Sequence, residues 1–282
     1  MTPIDETHPT VQRSSLASSS SSLSSLSSLS VLAAATATHG TGRDDDIALP
    51  KLPGFVESAF SPLAYEVGSR CLTARPGDGD RTAVALAGLM GDTTTADLAS
   101  RRMVSGRVHN PLLFMQATAN SVLGHMSREF GITGQMFSLS TLDDPLDELL
   151  AMAELLLEEP ELDRVLVLAV ELGGGERVSA VHHELAEEYR RPVPNLPASA
   201  GLAAAVLLGR PGDADGAGDA DGADGARAPI RRTQTALASQ HLGSIQSLFE
   251  LATAHDSRTS HAGHAAHAEP STETETHTHA HQ

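Results

Sequence analysis

Met136–Glu171 reads MFSLSTLDDPLDELLAMAELLLEEPELDRVLVLAVE, and its periodicity changes twice. Met136–Thr141 suits a strand. Asp143-Asp144-Pro145 has the chemistry of a helix start. An Asp serves as N-cap, Pro sits where the first turn has no amide to donate, and the carboxylates lie beside the positive helix end. Leu146, Leu149, Leu150, Ala153, Leu156 and Leu157 then recur at helical spacing. Arg164–Glu171 (RVLVLAVE) is a nearly continuous apolar run, the mark of a strand covered on both faces. Strand, helix and doubly covered strand in succession predict an α/β class with a layered sheet.

The same alternation extends outward. Arg81–Ala87 is a short β-capable run, and the Thr93–Thr95 cluster predicts a helix through Met103 that Gly106 ends. Ala117–Phe130 carries Val122, Met126 and Phe130 on one helical face and stops at Gly131. Beyond the central stretch, a helix is expected over Glu176–Tyr189, and Leu202–Leu208 reads as a strand or a buried helix. One domain over residues 47–210 follows. Residues 1–46 are expected to be a disordered Ser-rich segment, and 211–282 a disordered Gly/Ala/Asp and His-rich tail, because neither holds enough apolar surface to offset the entropy of ordering. Both ends are accordingly expected to be dispensable for folding.

The chain of 282 residues carries a net charge of −17. That argues against nucleic acid, which needs a basic face, and against an anionic membrane surface. Aromatics make up 3% with no Trp, so the core must be built from Leu, Val, Ala and Met. The longest apolar run, Val165–Val170, falls far short of the ~18 residues of a membrane span. Cys71 stands alone, which rules out a disulfide within the chain and fits a reducing, cytoplasmic compartment. Asp5 and Glu6, where a signal peptide would be basic, argue against export.

Asn110-Pro111-Leu112-Leu113-Phe114, Ala119-Asn120, Gly124-His125 and Phe130-Gly131-Ile132-Thr133-Gly134 follow one another in an order and gapless spacing that resemble the β-ketoacyl synthases, the condensing enzymes of fatty-acid and polyketide assembly. Pro197-Ala198-Ser199-Ala200-Gly201-Leu202 resembles a later strand of that family, and the likeness spans about Ser61 to Leu208. It implies the N-terminal half of a thiolase-like layered αβα fold. In the same register Asp143 falls where the family has its nucleophilic Cys, and Glu171 where it often ends a strand in Gly-Gly-x-Glu. The family's opening strand is not recognisable, and its second half, with two His and a Lys of the active site, has no counterpart in the sequence.

Condensation needs a thiolate to hold the acyl group and histidines to stabilise the oxyanion, so Asp143 is a poor substitute and no confident catalytic residue is assigned. Cys71, on an expected helix over Leu63–Leu72, reads as a small core residue. Arg101, Arg102 and Arg107 are the main basic group, and the resemblance makes them a docking site for an acyl carrier protein. Phe137 and Leu139, on the strand that pairs across the dimer in related synthases, are the expected dimer interface. His125 is expected to be packed, and His182, His183 and Glu184 to be a solvated helix face. The tail histidines lack fixed geometry, so no metal site is assigned, and Gly173-Gly174-Gly175 matches no dinucleotide fingerprint, so no cofactor is expected. The resulting expectation is a non-catalytic or accessory β-ketoacyl-synthase-like protein, forming a homodimer or a heterodimer with a full-length β-ketoacyl synthase. The alternatives are an acyltransferase completed by a second chain, and a truncated gene product without activity.

Overall fold

The computed structural model describes residues 29–55, 57–106, 112–142, 144–189, 193–194, 196–213 and 243–265, with side chains to residue 256. Its centre is a mixed five-stranded sheet of order β1-β5-β4-β2-β3. The strands are β1 (Ser30–His39), β2 (Thr82–Ala87), β3 (Met136–Leu139), β4 (Arg164–Leu172) and β5 (Gly201–Gly209). β2 runs parallel to both β3 and β4, whereas β5 is antiparallel to β4 and to β1. The layered αβα class expected from the sequence is the one observed.

Every residue of β4 is buried, and its alternation divides the core in two. Val165, Val167 and Ala169 point to one face with Val206 and Leu208 of β5. Leu166, Leu168 and Val170 point to the other with Ala205 and Leu207. On the second face lie α1 (Phe60–Ala74) and α4 (Asn120–Phe130), through Leu63, Val67, Val122 and Met126. On the first lie α5 (Leu146–Leu157) and α7 (Gln246–Ala265). A strand apolar on both sides is stable only when both are covered, and here helices cover each. Around this core sit α2 (Thr93–Val104), α3 (Leu112–Gln116) and α6 (Glu176–Tyr189).

The motif glycines have steric work. Gly131 closes α4 in the left-handed conformation at φ 64°, where a Cβ is unfavourable. A Cβ at Gly134 would collide with the backbone oxygen of Thr82, so that glycine allows β3 to approach β2.

Two expectations about the ends are corrected. Ser30–His39, expected within a disordered segment, is an edge strand paired with the whole of β5. Ala33, Ala35 and Ala37 are buried in the same cluster as Leu63, Val67 and Cys71 of α1. The tail is not uniformly disordered either, because Ile245, Leu248, Phe249 and Ala252 are buried in the α5-side core. α7 lies against β1 and β5. Smaller shifts fall at element ends. Asp92, rather than the threonines, caps α2 through Thr95 N, and the run expected as one helix over Ala117–Phe130 begins at Asn120. Leu202–Leu208 resolves as a strand. No described helix is long and apolar enough to cross a membrane.

The pairing of β1 sets a test. A chain beginning at Leu29 should unfold in one cooperative transition followed by circular dichroism. A chain beginning at Thr41, which lacks β1 and uncovers β5, should melt far lower or without cooperativity.

Candidate functional site

The parallel strands deliver their carboxyl ends to one side of the sheet, where ligands of α/β sheets commonly bind. The penultimate residue of β4 is acidic: Glu171, 3% exposed. Its Oε1 accepts from His182 Nε2 of α6 at 2.9 Å, and its Oε2 accepts from the hydroxyl of Ser244. Three segments remote in sequence therefore meet on one buried carboxylate. A carboxylate taken out of water is tolerable only with such partners.

Asp92, at the end of the β2–α2 link, is 2% exposed. It accepts from Thr95 N at 3.0 Å and Thr95 Oγ1 at 2.8 Å. Burial pushes its carboxyl above the ordinary range, against the opposing effect of bonds from Ser58 and Thr95. Next to it Thr93 Oγ1 is buried without a hydrogen-bond partner. A shallow cleft with room for about one water lies between Thr93, Gly91 and Glu171. α6 is fastened over this side by Arg177, whose guanidinium lies 2.7 Å from Asp97 of α2.

After β3, Ser140 Oγ donates to Leu89 O at 2.6 Å. Asp143 itself lies outside the described residues. Its neighbour Asp144 uses both oxygens: Oδ1 accepts from Leu146 N and Oδ2 from Ser247 N, each at 3.0 Å. One carboxylate thus caps the first turns of α5 and α7 together. That satisfies two orphan amides and places negative charge at two positive helix ends.

The other candidates sort as follows. Cys71 is fully buried in α1, its thiol 3.7 Å from Ala205 O, and burial raises its pKa to about 12. A thiol held protonated and out of contact with solvent is not a nucleophile. Arg101 is exposed. Arg102 is partly engaged, its guanidinium 3.0 Å from Glu57, and Arg107 lies outside the described residues. Met103, Val104 and Met115 are exposed in the same region, at the end of α2 and on α3. Phe137 and Leu139 are half-buried against the α5-side core. Among the described residues β3 pairs with β2 and with no other strand. His125 is packed as expected, edge-on to Tyr65 and Phe55, with Nε2 3.5 Å from Glu129.

The expected solvated face on α6 needs correction. His183 and Glu184 are exposed, but His182 points inward to Glu171. Among the described residues no cluster of His, Cys, Asp or Glu has the arrangement of a metal site. The side chains of the tail histidines fall outside the described residues. The arrangement at this end of the sheet joins elements. It offers buried carboxylates with their partners, and no activated nucleophile among the described side chains.

No family model matches the chain, and no curated protein matches it. Several solved structures are similar in part. One is a ketosynthase (ApeO) in complex with its chain length factor (ApeC) from Xenorhabdus doucetiae, at 17% identity and a TM-score of 0.46, covering 65% of this chain and 79% of that one. A second is a type II polyketide ketosynthase in complex with its acyl carrier protein, at 15% identity and 0.46, covering 65% and 62%. A third is a β-ketoacyl synthase from Burkholderia phymatum, at 16% and 0.41, covering 54% and 42%. The similar region covers 65% of this chain in the first two of these.

The buried carboxylate gives a direct test of the α6 correction. His182→Ala leaves Glu171 with Ser244 alone and should cost about 3–5 kcal/mol, measured by denaturant unfolding. The exposed neighbour His183→Ala should stay within about 0.5 kcal/mol of the parent.

Proposed function

We propose that this chain is a non-catalytic, accessory β-ketoacyl-synthase-like protein of polyketide or fatty-acid-type assembly, pairing with itself or with a full-length synthase. The observation that carries the reading is the state of the helix end after β3. In the resembled family that position presents a Cys to the substrate. Here Asp143 stands in its place in the sequence, and Asp144 turns both of its oxygens to the amides of α5 and α7. A helix end already neutralised by a carboxylate is a poor place to stabilise another negative charge. Cys71 offers no replacement, since it is buried within the α1-side core.

Two surfaces are assigned to partners in this reading. The exposed Arg101, beside Met103 and Val104, is the docking point for an acyl carrier protein; Arg102 and Arg107 belong to the same basic group. The edge of β3 away from β2, with Phe137 and Leu139, is the pairing surface, because a strand at the edge of the described sheet invites a second strand.

Incubation of the full chain with acyl-carrier or acyl-CoA thioesters should leave its intact mass unchanged. Asp143→Cys should not generate condensation, since the change supplies neither oxyanion donors nor a group to promote decarboxylation. A covalent acyl adduct on Asp143 or Cys71 of the parent chain overturns the non-catalytic reading.

Pairing is tested separately by sedimentation, alone and with a full-length ketosynthase. Phe137→Lys or Leu139→Lys should weaken association at least tenfold, and Leu185→Lys on α6 should change it little. A monomer that binds no synthase and ignores these changes removes the accessory role.

A further inference from the structure

Thr93, the first residue of α2, is 3% exposed, and its Oγ1 has no hydrogen-bond partner in the protein. The groups around it are satisfied. Asp92 turns both oxygens to Thr95, and Thr93 N donates to Gly91 O at 3.0 Å. A buried hydroxyl that stays unpaired gives up its hydration for nothing in return. Val has the same shape without that cost, so a threonine here points to something that it bonds.

The register of the sheet makes room for that partner. β2 ends at Ala87, opposite Ala169 of β4. On that side the last residues of β4 therefore run beside the β2–α2 link and no longer beside a strand. The one-water cleft lies there, lined by Thr93, by Leu89, Met90 and Gly91 of the link, and by the end of β4 from Val170 to Leu172. Two of these residues bring polar backbone atoms close together. Val170 O and Gly91 N lie 3.2 Å and 3.8 Å from the position that a Cβ on Gly88 would take, so an acceptor and a donor border the gap beside that glycine. A buried water needs roughly two to four such partners.

We propose that the cleft is a binding site for one ordered water. Thr93 Oγ1 is its side-chain partner, and backbone groups of the β2–α2 link and of the end of β4 are the others. The water fastens the start of α2 to β4. The size of the space sets the class of ligand, and a hydroxyl that can both donate and accept suits a water in either orientation. The inference is independent of the accessory role proposed above.

Thr93→Val in the full chain keeps the shape of the side chain and removes the hydroxyl. For a hydroxyl that is merely unpaired, this change is neutral or stabilising. With the water in place it strands the water's other partners, and the folded-to-unfolded ratio from urea unfolding should fall at least about fivefold. An unchanged or higher ratio overturns the fastening, even where the water is present. A high-resolution crystal structure of the parent chain should show one water within about 3.0 Å of Thr93 Oγ1. Empty density there overturns the site, and several oxygen contacts near about 2.4 Å mark a cation in place of water. Should the variant not fold, the crystal structure of the parent decides alone.

Discussion

Everything in this fold answers to one demand: β4 is apolar on both sides, and so is β5 beside it. Each strand sends alternate residues into two separate cores, and neither core can be left wet. α1 and α4 meet the demand on one face. On the other, α5 covers only part of the area, and α7 supplies the rest over β1 and β5. The position of β1 follows from the same requirement, because β5 has every backbone group committed on one side to β4 and on the other to β1. Removing either neighbour exposes an edge as well as a face.

The carboxyl ends of the strands show how the added helix is tied in without a new core. Glu171 and Asp144 lie at the ends of segments that also make the central crossover, and each accepts from α7 or the turn before it while keeping a partner of its own. A helix N-terminus that finds a carboxylate gains both a hydrogen bond and a favourable charge–dipole interaction. Asp144 provides this for two helices at once. Both amides that Asp144 accepts from are thereby satisfied.

The legible part of the sequence was the part whose residues carry strong local signals. β4 was visible as an unbroken apolar run, α5 as a six-residue helical stripe after Asp-Asp-Pro, and the glycines at 131 and 134 as stops. β1 was hidden because its sequence, SVLAAATATH, centres on alanines, which have little β preference, and continues directly from a Ser-rich run. Their smallness is what the packing against α1 uses, and that information is tertiary. α7 was hidden for a related reason. Its stripe is short, and a Gly/Ala/Asp-rich stretch separates it from the sheet it covers. An isolated helix of that kind has little intrinsic stability. The inward turn of His182 was equally silent, since His182-His183 looks symmetrical until Glu171 selects one of them. The apolar strand that ends in Glu171 was the available clue: a carboxylate there calls for a partner from elsewhere in the chain.

The two hidden elements bear on one another. β1 widens the sheet beyond the reach of α5, and the widened face is the one that α7 crosses. A sheet of this class with β1 but without α7 would leave Val206 and Leu208 poorly covered, and α7 without β1 would have lost half of its seat. The two segments flank the stretch that carries the ketosynthase resemblance, and they extend the sheet and cover it from either side of that stretch in the chain.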